Sequence, residues 1–232
     1  MSDNYQFEKL IDFKTNNNII GPVGWAQIFL NDELVEEKQN LVLGQGRSFG
    51  AQRLFDINMT DQHQLIENYR NHVISHFGVG SGGSVITVDN QYTLQGPHIC
   101  DDFLYNPISL GNIGLYLNED RDYYIDNLYN SHHCLKPIQE KVLLNTNFPT
   151  NPIIENQYIC NHYTKIRCLC RLESGEPYNL SSGESIQISE AGLYAVNTDI
   201  TNPKPIMFAH ICFSPKFKEK EGTFGIKWNI LC

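Results

Sequence analysis

Histidine and cysteine are the residues of this chain best suited to chemistry, and they gather in three places. The segment "SHHCLKP" (131–137) brings His132, His133 and Cys134 together, "GPHIC" holds His98 and Cys100, and "CNHY" holds Cys160 and His162. Imidazole and thiolate are natural zinc ligands. In the last two segments the two residues stand two apart, on one face of an extended strand. Within these three segments no pair has the C-x-x-C or H-x-x-x-H spacing that presents two ligands from one turn or helix face, so no metal ligand is assigned. The seven cysteines, at 100, 134, 160, 168, 170, 212 and 232, read as buried free thiols of a reducing compartment. Cys168 and Cys170, in "IRCLCRL", are expected on one face of a strand.

Other chemical signatures fail on context. "FGVGSGGS" (77–84) contains G-x-G-x-x-G at Gly78, Gly80 and Gly83. A dinucleotide site needs a helix immediately afterwards, to meet the pyrophosphate with its N-terminus. The glycines lead instead into "SVITVDNQYTL", a β-branched, strand-like run, so the loop is read as structural. No Gly-Lys-Ser/Thr completes a P-loop. The acidic clusters "CDDF" (Asp101, Asp102), "NEDRD" and "VEEK" are adjacent residues on turns, where carboxylates are ordinarily solvated; catalytic carboxylates converge from separate segments. No G-x-S-x-G elbow is present, and no Ser or Cys nucleophile stands out beside a likely base. No catalytic or cofactor-binding residue is assigned, and the chain is not read as an enzyme.

The elements that would position any site are β-strands. With 232 residues, 41% hydrophobic and 19% charged, the composition is that of a folded domain with a substantial core. A net charge of −9 argues against a nucleic-acid surface. No apolar run reaches the roughly 18–20 residues that span a bilayer, and the N-terminus carries no secretion pattern, so synthesis and residence in a cytosol are expected. "GWAQIFLNDELVEEKQNLVL" reads as a strand, an Asn-Asp turn and a returning strand. Residues 47–56 change to helical spacing with Ser48 as cap. "HVISHFGVG" is a half-buried strand and "GSGGS" a turn. Residues 84–156 are polar, aromatic and irregular, and read as a long insertion carrying a few strands such as "NIGLYL" and "EKVLLN". Beyond Gln157 the pattern sharpens into "YICNHYTKIRCLCRL", the turn-rich "ESGEPYNLSSGE", "SIQISEAGLYAV" as a strand pair or one bent strand, "IMFAHICFSP" and "TFGIKWNILC". The last two are expected to form a hairpin, with Pro215 ending one strand, "KFKEKEG" at the exposed tip and Gly222 opening the next. "IGLY" (113–116) and "AGLY" (191–194) each place a glycine where a strand bulges or another chain segment approaches. The expected architecture is a single mainly β domain, 1–232: an antiparallel, jelly-roll-like β-sandwich with one short N-terminal helix and the insertion.

The order of these pieces resembles that of tailed-bacteriophage virion proteins. "KQNLVLGQGRSFGAQRLFD", "ISHFGVGSGGS", "ISEAGLYAV" and "MFAHICFSPKFKEKEGTFGIKWNILC" keep the same succession over about half the chain. The resemblance implies a structural subunit of the neck, tail or baseplate. Such a subunit is made in the host cytoplasm, housed in the virion and assembled as a homo-oligomeric ring beside other virion proteins, and no catalytic residue carries over. Subunit contacts are then expected from the insertion tyrosines Tyr105, Tyr116, Tyr123, Tyr124 and Tyr129, and from the charged tip residues Lys216, Lys218, Glu219 and Lys220. The alternative is a receptor- or glycan-binding sandwich whose Tyr-rich 103–129 segment stacks on sugar rings.

Overall fold

Alternation of apolar and polar residues builds strands here, and a few residues with special backbone demands set the turns between them. A computed structural model describes residues 23–43, 46, 72–87, 89, 91–101, 103–110, 134–144, 165–177, 180–197 and 205–231. Among these residues the strands are β1 (Val23–Leu30), β2 (Glu33–Val42), β3 (His72–Gly80), β4 (Ser84–Ile86), β5 (Tyr92–Leu94), β6 (Leu135–Pro137), β7 (Glu140–Leu144), β8 (Lys165–Leu172), β9 (Ser185–Asn197), β10 (Ile206–Glu219) and β11 (Phe224–Leu231). The helix expected over 47–56 and the "NIGLYL" strand lie outside the described residues.

The strands form an antiparallel β-sandwich, as the patterning implies. One sheet runs β2-β1-β11-β8-β7 and the other β6-β3-β9-β10, with β4 and β5 as a separate two-stranded hairpin. β2 joins the two layers: its length pairs with β1, while Leu41 and Val42 pair with His210 and Ala209 of β10. Ala26, Ile28, Cys168, Cys170, Leu172, Phe224, Ile226 and Trp228 of the first sheet meet Phe77, Val79, Leu193, Ile211 and Phe213 of the second. Phe213 stacks on Phe224 across the layers at 6.1 Å between centroids, an offset aromatic pair that fixes the facing of the sheets. The thiols of Cys168 and Cys170 are buried side by side in this core, as expected.

Three features differ from the sequence reading. β10 and β11 do not form a hairpin. β10 pairs with β9, whereas both edges of β11 are taken by β1 and β8, so 220–223 carries the chain from one sheet to the other. Pro215 does not end its strand. The β9–β10 register jumps between Cys212 and Lys216, and this irregularity takes up a residue with no N–H to donate. Residues 134–144, read as part of the insertion, supply the outermost strand of each sheet, β6 beside β3 and β7 beside β8.

The β1–β2 turn shows how local chemistry sets register. Asn31 and Asp32 both have positive φ, 51° and 66°, the type I′ geometry that suits the twist of a two-residue hairpin and that Asn and Asp tolerate best among non-glycine residues. Asn31 Oδ1 also accepts the Thr223 N–H at 2.9 Å, tying this turn to the crossing between sheets. Asn31→Ala therefore loses both the left-handed tolerance and the bond. Urea unfolding should show it about 1–3 kcal/mol less stable than the parent, with Asn31→Gly less affected.

His76 of β3 is buried, and its Nδ1 lies 2.8 Å from Ser75 Oγ. Burial, with the positive charge of Lys141, holds its imidazole down at about 4. Between pH 6.5 and 4 the unfolded chain binds a proton that the native ring refuses, so stability must fall as the pH drops through that window. The full effect is about 3 kcal/mol. Urea midpoints measured from pH 7 to 4.5 should fall more steeply for the wild type than for His76→Gln.

Candidate functional site

The strongest concentration of polar side chains lies on the face of the β9–β10 pair turned away from the first sheet. Pairing of the two strands sets Cys212 opposite Glu190 and His210 opposite Gly192. Residues 95–101 and 103–107 lie over this face as a strap. Leu104 of the strap packs with Leu43, Leu135, Tyr194, Val196 and Met207 in a small apolar cluster distinct from the core between the sheets. Beside that cluster is a carboxylate with no solvent exposure, Glu190.

Both Glu190 oxygens are engaged. Oε1 accepts the backbone N–H of Gly82 at 2.9 Å and of Asn106 at 2.8 Å. Oε2 accepts the Tyr105 N–H at 2.9 Å and lies 3.1 Å from His210 Nε2. A buried carboxylate is tolerable only when its lost hydration is replaced in this way, and bonds of this charged kind contribute about 1.5–3 kcal/mol each. The other ring nitrogen of His210, Nδ1, lies 2.9 Å from Asp101 Oδ2. Each ring nitrogen thus faces a carboxylate oxygen. Asp101 Oδ2 in turn accepts the His98 N–H at 2.7 Å, and the Tyr105 hydroxyl is within 2.9 Å of it and within 3.0 Å of the Gly96 carbonyl. The Tyr105 ring stands edge-on to His210 at 5.0 Å. Burial, then the Asp101 hydrogen bond and charge, push the Tyr105 phenol upward.

The glycine-rich segment finds its reason here. A Cβ on Gly80 would run into Glu190 Oε1 and lie 2.6 Å from the Asn106 carbonyl, and one on Gly83 would run into the Ser189 carbonyl. The glycines let the backbone close on Glu190 and the strap, and β4 comes directly after them, so the segment holds a carboxylate of its own chain.

Cys212 Sγ lies 3.8 Å from His210 Nε2, which with Asp101 on the far nitrogen has the outline of a Cys–His–Asp triad. The chemistry does not match the outline. Nε2 faces Glu190, and burial, together with the charges of Glu190 and Asp101, pushes the Cys212 thiol up to about 12. A nucleophile needs the thiolate. The cluster positions backbone; it does not activate sulfur.

Of the expected contact residues, Tyr105 is partly exposed but its hydroxyl is committed to the strap. Tyr116, Tyr123, Tyr124 and Tyr129 lie outside the described residues, as do His132, His133, Cys160 and His162. Lys216 pairs with Glu36 of β2 at 2.7 Å. Burial raises the Glu36 carboxyl, but the Lys216 bond and charge, with the donors of Ser214, outweigh it and hold the group below its ordinary value. Lys218 is a correction: it is fully buried, and its Nζ donates to the Glu219 carbonyl at 3.1 Å. Burial lowers its pKa, against the opposing charges of Glu176, Glu173 and Glu221. Glu219 is exposed and Lys220 partly so. Asp101, read as a solvated turn acid, is likewise corrected, with 11% side-chain exposure and an imidazole partner. His98 and Cys100 form a turn, the Cys100 N–H donating to His98 Nδ1 at 3.2 Å. Among the described residues no group of three or more His, Cys, Asp or Glu is placed to hold a metal. Glu190 and His210 were missed as a pair. Their signal is a charged residue inside an apolar run, in "ISEAGLYAV" and in "MFAHICF", where a strand face expected to be apolar must find a polar partner.

Exposed apolar side chains gather on the hairpin of β4 and β5: Val85, Ile86, Tyr92 and Leu94, with Ile86 62% exposed. Gln187 Nε2 reaches Ser84 Oγ at 3.4 Å, and Gln187 is the register partner of Phe217, itself 49% exposed. The hairpin and Phe217 thus belong to one region of the surface.

No protein-family model, curated protein or solved structure matches this chain.

Thiol chemistry checks the assignment of Cys212. In the native protein at pH 8, iodoacetamide should label the exposed Cys100 and leave Cys212, with its thiol up near 12, unmodified, together with the buried Cys168 and Cys170. Peptide mass mapping after unfolding in urea should then find all four labelled.

Proposed function

We propose that this protein is a structural component of a tailed-bacteriophage particle, a neck, tail or baseplate subunit that works by contact with copies of itself and with other virion proteins. The observation that carries the reading is the apolar β4–β5 hairpin, whose Val85, Ile86, Tyr92 and Leu94 stand exposed beside Phe217. Large apolar side chains grouped and exposed on one element are the physical mark of an interface. The succession of segments, which resembles that of virion proteins, supports the same reading. So does the chemistry of the Glu190 cluster, whose acid, imidazole and thiol groups are spent on one another and on backbone. The net charge of −9 favours protein partners over nucleic acid. The protein acts through shape, with no bond made or broken.

Mass photometry of the purified chain should show closed multimers. Replacing Ile86 and Tyr92 by Asp should weaken association at least tenfold, about the loss of one interface anchor, with the far-ultraviolet circular dichroism unchanged. A chain that sediments as a monomer at tens of micromolar, above the roughly micromolar weak end of standard interfaces, overturns the proposal. A positive glycan array from that monomer would point instead to the carbohydrate-binding alternative.

A further inference from the structure

Three backbone N–H groups of the strap and the β3–β4 turn converge on one side chain, while Asp101 ties the strap to His210 and Ser84 ties the hairpin to Gln187. Glu190 accepts from Gly82 at the start of the β3–β4 turn and from Tyr105 and Asn106 in the strap, so a single carboxylate joins two legs of chain to β9. The β4–β5 hairpin lies between those legs, and its base is tied by the Gln95 N–H to the Gly83 carbonyl at 2.9 Å. The apolar support under the strap is the small Leu43, Leu104, Leu135, Tyr194, Val196 and Met207 cluster. It lies apart from the core between the sheets, which contains Trp228, Phe213 and Ile226. The remaining backbone ties, Ser81 N–H to the Asn106 carbonyl and Ile108 N–H to the Val79 carbonyl, sit together at one end.

We infer that the strap and the β4–β5 hairpin form one unit, latched to the sandwich by the Glu190 carboxylate and able to open from it while both sheets stay folded. Segments held by few apolar contacts and by bonds converging on one point open below the free energy of global unfolding. Both Glu190 oxygens act only as acceptors. A glutamine in the same place would set its NH₂ against at least one backbone N–H whichever way it turns, so Glu190→Gln undoes the latch with almost no change in volume. This inference stands on the geometry alone and does not depend on the proposed role in assembly.

Native-state hydrogen exchange tests it on the full chain. In the wild type, the Gly82, Tyr105 and Asn106 amides should exchange at least about tenfold faster than the slowest amides of β1 and β11, with little urea dependence. In Glu190→Gln they should exchange at least about tenfold faster again, the worth of one bond to a buried charge, while β1 and β11 change by less than about threefold. Equal protection of strap and sheets in the wild type overturns the inference. So does a Glu190→Gln variant that leaves the strap unchanged, loosens strap and sheets by the same factor, or fails to fold, because the sheets should stand without the latch.

Discussion

The burial of the Glu190 carboxylate constrains more of this molecule than any other interaction among the described residues. A carboxylate with no solvent exposure must find partners for both oxygens, and here they come from the β3–β4 turn, the strap and His210. Several otherwise separate facts trace back to that need. The backbone at Gly80 and Gly83 approaches too closely to admit a side chain. Tyr105 and Asn106 present consecutive N–H groups to the same acid, and His210, held on the other side by Asp101, has a fixed ring orientation. Cys212, set among these charges, keeps its proton.

The second organising feature is the way the chain passes between layers. β2 hydrogen-bonds along most of its length to β1 and at its end to β10, so one strand closes a corner of the sandwich. The crossing at 220–223 does the same between β10 and β11. It is held by bonds from elsewhere: Lys220 N–H to the Glu184 carbonyl, Gly175 N–H to the Lys220 carbonyl and Asn31 N–H to the Thr223 carbonyl. This accounts for Lys218. A lysine near an exposed hairpin tip would be solvated, but near a crossing buttressed by two neighbouring loops it is enclosed, with the acids Glu173, Glu176 and Glu221 nearby.

These two features set an interior where the Glu190 carboxylate is answered by donors of its own chain against a hairpin whose large apolar side chains are exposed. The same division underlies the proposed structural role. A subunit needs a frame that does not yield and a surface that gains by being covered, and the two sheets have the form of the first, the β4–β5 hairpin that of the second.

Much of the fold was legible in the residues. Period-two alternation marked β3, β8 and β11; Asn31-Asp32 marked the turn between β1 and β2; Cys168 and Cys170 marked one buried face. The glycine-rich run was rightly read as a loop leading into a strand. These properties are local, because side-chain direction in a strand and backbone tolerance in a turn depend on a residue and its immediate neighbours. Pairing is not local. The runs 206–219 and 224–231 have the same alternation whether they bond to each other or lie in opposite sheets, and only the occupation of both edges of β11 by β1 and β8 decides between them. Likewise Glu190 and His210 each stand out in the sequence as a polar residue among apolar ones. That they should meet, with Asp101 from a distant segment on the far side of the ring, is set by strand register and by the path of the strap. Sequence alone determined which residues turn inward and where the chain bends, while tertiary structure decided which inward groups face one another, because the desolvation of a charge is answered only by donors brought from elsewhere in the chain.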